Sequence, residues 1–187
     1  NQIFQMIEGE KLGSFWGYTF AGVWQEDDVN APFVDANGQT NGKTNGEVYK
    51  VKPGNSKYVD VNKDGVYNDA DQGIIGCGQP TFNWGWNNTF NYKNFDFSFF
   101  VVGFHGFDIY NATHQMGYNL IKSQQMAGVT PMRELLNRWT PTNTNTDIPG
   151  FVKGGTENKD FFSTRFVENG SFIKMKSITL GYTLPEA

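Results

Sequence analysis

From Pro80 to His105 the chain reads PTFNWGWNNTFNYKNFDFSFFVVGFH, with large rings at every second position and small polar residues between them. Alternation of period two predicts extended strands. Phe82, Trp84, Trp86 and Phe90 share one face of a strand near residues 80–91, and Thr81, Asn83, Gly85, Asn87 and Thr89 share the other. Phe95, Phe97, Phe99 and Val101 share a face of a second strand near 94–105, whose opposite face begins with Asp96 and Ser98 and loses its polarity at Phe100. A tight turn near Asn91 to Asn94 joins the two as a hairpin. The same alternation recurs near 13–25, where Trp16, Tyr18, Phe20 and Trp24 alternate with Gly17, Thr19, Ala21 and Val23. It recurs again near 171–185, where Ile178, Leu180, Tyr182 and Leu184 oppose Ser177, Thr179, Gly181 and Thr183.

Between these strands the periodicity stops. Residues 26–79 and 106–170 read as long loops rich in Asp, Asn, Gly and Thr, with a short strand at Glu47 to Val51 and one short helix at Pro131 to Trp139, where Thr130 can cap and Leu135, Leu136 and Trp139 form an apolar side. Four antiparallel strands separated by long, short and long connections give an all-β, up-and-down arrangement. A face covered in rings must be buried in another sheet or in lipid. In a bilayer centre Lys174 and Lys176, which fall on the apolar side if the register is kept, would cost about 2–4 kcal/mol each. They therefore lie at the membrane edge, or a β-bulge intervenes.

Composition narrows the choice. The chain of 187 residues has 22 Gly, 17 Phe, 8 Tyr and 5 Trp, an aromatic share of 16%. No run approaches the ~20 apolar residues of a transmembrane helix, which leaves a membrane barrel open because its strands carry half that signal. A net charge of -4 with interspersed signs argues against a nucleic-acid partner. Cys77 is a lone cysteine, and His105 and His114, the two histidines, lack zinc-ligand spacing. No carboxylate pair, nucleophile with a base or phosphate loop marks an enzyme.

One stretch has legible chemistry, DVNKDGVYNDAD from Asp60 to Asp71. Oxygen donors at the first, third and fifth positions (Asp60, Asn62, Asp64), glycine at the sixth (Gly65), a carbonyl at the seventh (Val66) and a carboxylate at the twelfth (Asp71) follow the spacing of a calcium loop. Asn68 at the ninth position can act through water, and Asp69 is a spare ligand. No amphipathic helix flanks the loop, so the expectation is a structural calcium clip rather than a sensor. The competing reading is a turn network held by side-chain to backbone hydrogen bonds.

Taken in order, GSFWGYTFAGVWQ, DVNKDGVYNDAD with IIGCGQP close behind, TFNWGWNNTFNYKNFDFSFFVVGFHG, RWTPTNTNTDIPG and SFIKMKSITLGYTLP cover nearly the whole chain. This series resembles the C-terminal part of the SusC/RagA-type TonB-linked outer membrane transporters of Bacteroidetes. The resemblance implies part of a large transmembrane β-barrel of about 22 strands, in the bacterial outer membrane and in contact with membrane lipid. It implies work with a SusD-like surface lipoprotein and the TonB complex to import oligosaccharides or peptides. The family's calcium-loop-like motif falls on Asp60, Asn62, Asp64, Gly65 and Asp71. The TonB box, plug and closing strands of the family have no counterpart here, so the chain is expected to be a barrel segment, with Thr, Asn and Gly positions facing the lumen. The alternative from another class is a secreted, calcium-stabilised β-sandwich that binds carbohydrate through exposed Trp and Tyr.

Overall fold

The computed structural model describes residues 6, 8–118, 132–150 and 161–185. In chain order its strands are β1 (Ser14–Tyr18), β2 (Phe20–Val23), β3 (Pro32–Val34), β4 (Thr40–Thr44), β5 (Ser56–Tyr58), β6 (Gln72–Cys77), β7 (Phe82–Tyr92), β8 (Phe95–His105), β9 (Asp108–Tyr110), β10 (Val167–Asn169) and β11 (Phe172–Tyr182). Among the described residues three short α-helices, α1 (Glu26–Asn30), α2 (Asn45–Tyr49) and α3 (Ala112–Tyr118), lie between them.

The three long strands form one antiparallel sheet with β8 between β7 and β11. The β7–β8 hairpin runs without interruption from Phe82 opposite His105 to Tyr92 opposite Phe95. Lys93 closes its turn at φ 52°. The turn is tied to the end of β11, because the Thr183 N–H donates to the Asn94 carbonyl at 2.8 Å and the Asn94 amide donates back to the Thr183 carbonyl at 2.9 Å.

Register sorts the side chains into two faces. Trp84, Trp86, Phe90 and Tyr92 share one face with Phe95, Phe97, Phe99 and Val101, and with Ile173, Met175, Ile178, Leu180 and Tyr182. Rings tile it: Trp86 meets Phe99 edge-on at 5.3 Å, and Phe95 meets Tyr182 at 4.6 Å. This face stays open, with Trp86 57% and Leu180 72% exposed. The other face is polar near the turn, where Ser98 lies between Thr89 and Thr179, and becomes apolar farther up. There Val102 is buried and Phe104 stacks on Phe172 at 5.2 Å. The lumen-side expectation of Thr, Asn and Gly thus describes the half nearer the turn, and Phe100 explains the change: its ring lies across Gly85, filling space that a side chain would otherwise take.

The register of β11 shifts between Met175 and Ser177, leaving Lys176 as the extra residue of a bulge. A one-residue insertion reverses the alternation. Lys174 is therefore opposite Val102, on the same face as Ser177 and Thr179, while Met175 joins the rings.

The stretch near 13–25 differs from the single membrane-type strand expected. It breaks at Thr19 into β1, which pairs with β6, and β2, which pairs with β5. Phe15, Tyr18, Val23 and Trp24 are buried. Alternation reported extended backbone there, but the rings fill the core of a loop layer. Glu47 to Val51 is not a strand: α2 covers most of it, because Thr44 accepts from the Glu47 N–H and the Glu47 carboxylate accepts from the Thr44 N–H at 2.9 Å. Such a capping box nucleates a helical turn where Val48 and Tyr49 alone favour a strand. The helix expected at Pro131 to Trp139 is a 3-10 turn at Arg133–Asn137, with Thr130 and Pro131 outside the described residues. Trp24, Val29 and Val51, with Tyr49 against them, form the core of the loop layer.

Candidate functional site

The loop from Asp60 to Asp71 leaves β5 and enters β6 through a 3-10 turn at Asp69–Asp71. Gly65 sits at φ 84°, the left-handed backbone that its place in the motif requires, and a side chain there would run into Val48. Asp60 is held by two donors: the Gly65 N–H and the Tyr49 hydroxyl each reach Oδ2 at 2.8 Å. Its other oxygen, Oδ1, is buried and has no hydrogen-bond partner among the described residues. A buried carboxylate oxygen with nothing to accept from is costly.

At the far end Asp71 is buried and fully engaged. Its Oδ1 accepts from the Val61 N–H at 2.9 Å and its Oδ2 from the Asn68 N–H at 3.0 Å. The outer residues satisfy one another. The Asn62 and Asn68 amides both donate to Asp64 Oδ2, at 2.9 and 3.1 Å, and the Val66 N–H donates to Oδ1 at 2.8 Å. The Asn62 amide first, and then the Val66 N–H, hold the Asp64 carboxyl below its ordinary pKa. The Val66 carbonyl accepts from the Asn68 amide at 3.3 Å. Among the described residues no three His, Cys, Asp or Glu side chains gather as a metal-binding group. Asp60, Asn62, Asp64, Val66 and Asp71 thus lie in one loop, and its ligand-type oxygens are mostly occupied by the loop's own N–H groups. In donor type the set fits a hard cation: it is all oxygen, and Asp60 Oδ1 is an acceptor lacking a donor.

Sequence reasoning missed the collar around the loop. Tyr67, inside the motif, stacks on Tyr49 at 5.1 Å and meets Tyr58 edge-on at 5.6 Å. Tyr49 meets Trp24 at 5.5 Å and Phe33 at 5.7 Å. Burial first, with the charges of Asp60 and Asp71 adding to it, pushes the Tyr67 phenol up to about 12. The only sequence signal for this collar was the Thr44 to Glu47 box, which sets Tyr49 on a helix facing the loop.

His105 lies on the ring-covered face, stacked on Phe82 at 5.0 Å, and His114 lies 3.8 Å from Glu168. Cys77 is half-buried, its N–H donating to Asp108 at 3.1 Å.

Three long antiparallel strands with one ring-covered face, joined to a layer of folded loops, make a segment of an outer-membrane β-barrel. No protein-family model matches the chain. It is 34% identical over 180 residues to TonB-dependent receptor P3 of Formosa agariphila, which takes in 96% of this chain and 16% of that protein. With TonB-dependent receptor SusC of Bacteroides thetaiotaomicron it shares 27% identity over 132 residues, 71% of this chain and 12% of SusC. The solved structure of the RagAB peptide importer in its closed-closed state shares the fold at a TM-score of 0.58 and 20% identity, covering 98% of this chain and 18% of that one. The chain belongs to the SusC-type TonB-dependent receptors, as a barrel segment of an outer-membrane protein. It spans 16% of the length of the Formosa agariphila relative.

Proposed function

We propose that this chain contributes wall and external loops to an energised importer that takes up oligosaccharides or peptides through the outer membrane with a SusD-like surface lipoprotein and TonB. The observation that carries this is the one-sided sheet. Each of its strands has 11 residues, which at ~3.3 Å per residue and a tilt of ~45° crosses about 25 Å, the height of an outer-membrane apolar band. The relatives' names supply the transport reading, and RagAB supplies the peptide as one cargo class. A carbohydrate-binding sandwich needs a second sheet over the rings, and among the described residues no strand covers them. The test is uptake of labelled oligosaccharides and peptides by cells with and without the full-length protein. Import of one class, lost when the protein or TonB is removed and accompanied by a co-purifying surface lipoprotein, is the expected result. Unchanged uptake of both classes rejects it.

The loop from Asp60 to Asp71 acts, in the same proposal, as a calcium clip. Asp60 through Oδ1, Asn62, Asp64, the Val66 carbonyl and Asp71 would hold the ion, with Asn68 through water. The ion supplies positive charge that offsets four carboxylates in one short loop. To receive it, Asn62, Asp64 and Asn68 exchange their mutual hydrogen bonds for the cation. Calorimetric titration of the detergent-solubilised protein with calcium should give saturable heat that vanishes in the Asp60→Ala, Asp64→Ala double variant. A parent protein that gives no heat disposes of the clip.

A further inference from the structure

The stretch Asn37 to Gly46 contains three Asn-Gly pairs at four-residue spacing, Asn37-Gly38, Asn41-Gly42 and Asn45-Gly46. Asn followed by Gly can modify itself. The glycine nitrogen, unshielded by a Cβ, attacks the asparagine Cγ; a N–Cγ bond forms, the Cγ–Nδ2 bond breaks, and the amide leaves as ammonia with the proton given up by the glycine N–H. Water then opens the five-membered imide at either carbonyl, leaving aspartate or isoaspartate. No oxidant or cofactor is needed.

The three pairs are alike in sequence and unlike in structure. We propose that Asn41-Gly42 is a self-modifying site of the external loops, that Asn37-Gly38 follows it, and that the fold protects Asn45-Gly46. The β3–β4 register joins Pro32 to Thr44 and Val34 to Thr40, with an irregularity between. Asn41, Gly42 and Lys43 thus oppose the single residue Phe33, in a stretch too crowded for regular pairing. Asn41 and Gly42 are exposed, Gly42 has φ 76°, and a Cβ placed on it would meet nothing within 4 Å. The Lys43 N–H donates to Asn41 Oδ1 at 3.0 Å. That bond polarises the amide carbonyl whose carbon the Gly42 nitrogen must attack.

Asn37-Gly38 is equally exposed, but the Gly38 N–H donates to the Asp35 carbonyl at 3.0 Å, so its nitrogen must first give up a partner. Asn45 is restrained on every side. Its amide donates to the Asp28 carbonyl at 2.9 Å, its N–H donates to the Ala31 carbonyl at 2.9 Å, and it opens α2. A Cβ on Gly46 would lie 2.6 Å from Val29, so Gly46 is packed closely against the core and cannot shift freely toward the carboxamide. Helical backbone also turns the Gly46 nitrogen away from the carboxamide.

The test is timed incubation of the full-length protein in detergent at mildly alkaline pH, followed by trypsin and mass spectrometry. Cleavage after Lys43 puts Asn41 and Asn45 on separate peptides, and fragmentation separates Asn37 from Asn41. Asn41 should convert about tenfold or more faster than Asn45, the ratio given by a barrier difference of ~1.4 kcal/mol. Asn41→Gln should leave only the slower conversion at Asn37. Unfolding in urea should bring Asn45 up to the rate of Asn41. Equal rates in the folded protein, or a difference that survives urea and so belongs to local sequence, overturn the proposal.

Discussion

Tyr67 shows what a single side chain in the loop does. It sits in the middle of the motif as one of the residues between the oxygen donors, and its spacing alone marks it as filler. In the structure it joins the loop to the aromatic core, because its ring stacks on Tyr49 and its oxygen accepts from the Tyr58 N–H at 3.4 Å. Burial raises its phenol from 10.0 to about 12. An acid whose pKa is higher folded than unfolded keeps its proton in the native state while the unfolded chain has lost it. The stability it contributes is therefore complete below pH ~10 and falls as pH rises toward about 12. Alkaline titration followed by near-ultraviolet absorbance should show Tyr67 ionising late, together with loss of the loop layer's circular dichroism, and Tyr67→Phe should lower the amplitude of that late step, to which Tyr49, also raised by burial, still contributes. Early ionisation with the loop layer intact contradicts the packing. Spacing alone puts Asp60 and Asp71 at the two ends of one loop; it says nothing of Tyr49 and Tyr67, because ring packing between residues 18 apart in sequence leaves no periodic trace.

Among the elements, β11 separates what alternation can and cannot reveal. Its length and polarity were readable, and so was the conflict at Lys174 and Lys176. What could not be read was which residue the bulge would take. Lys176 as the extra residue resolves the conflict on the Lys174 side and sends Met175 to the rings. The two neighbours should then respond oppositely to exchange. Met175→Lys puts a charge on the lipid face and should destabilise the folded barrel by roughly 1–3 kcal/mol at a height between the midplane and the rim. Lys174→Met removes an exposed charge from the face away from the rings and should change stability by less than about 1 kcal/mol. Urea unfolding of the detergent-solubilised protein measures both, and similar losses in the two variants would refute the bulge assignment. The stretch near 13–25 teaches the complementary lesson. Trp16, Tyr18, Phe20 and Trp24 have the same period as Trp84 and Trp86, yet β1 and β2 pair with β6 and β5, which lie within the stretch 26–79 where alternation reads only loop. Period two reports a strand's backbone. Whether its rings meet lipid or other rings is set by partners far along the chain.

At the scale of the whole molecule the 5 tryptophans divide by environment. Trp84 and Trp86 belong to the open ring-covered face of the long sheet. Trp24 is 3% exposed in the loop core, and the Trp139 indole donates to Gln25 at 3.0 Å within the loops. Trp16 lies on β1, opposite Ile74 of β6. If the sheet is barrel wall, hydrocarbon touches the first pair and spares the other three. Quenchers fixed to acyl chains act only over the short distance of direct contact, so in reconstituted vesicles they should quench the fluorescence of Trp84 and Trp86 and leave the rest. Replacing both with Phe keeps the rings on the face and should lower lipid quenching, whereas replacing Trp16, Trp24 and Trp139 should leave it unchanged. A water-soluble quencher separates the outcomes further: it reaches loop tryptophans that are part-exposed and is excluded from the lipid face. Lipid quenching unchanged by loss of Trp84 and Trp86 and lowered by loss of Trp16, Trp24 and Trp139 would place the loop layer in the bilayer and the long sheet outside it. The inversion would defeat the barrel reading, because β1 and β2, of 5 and 4 residues, are far shorter than the ~9–11 residues a tilted strand needs to cross the apolar core.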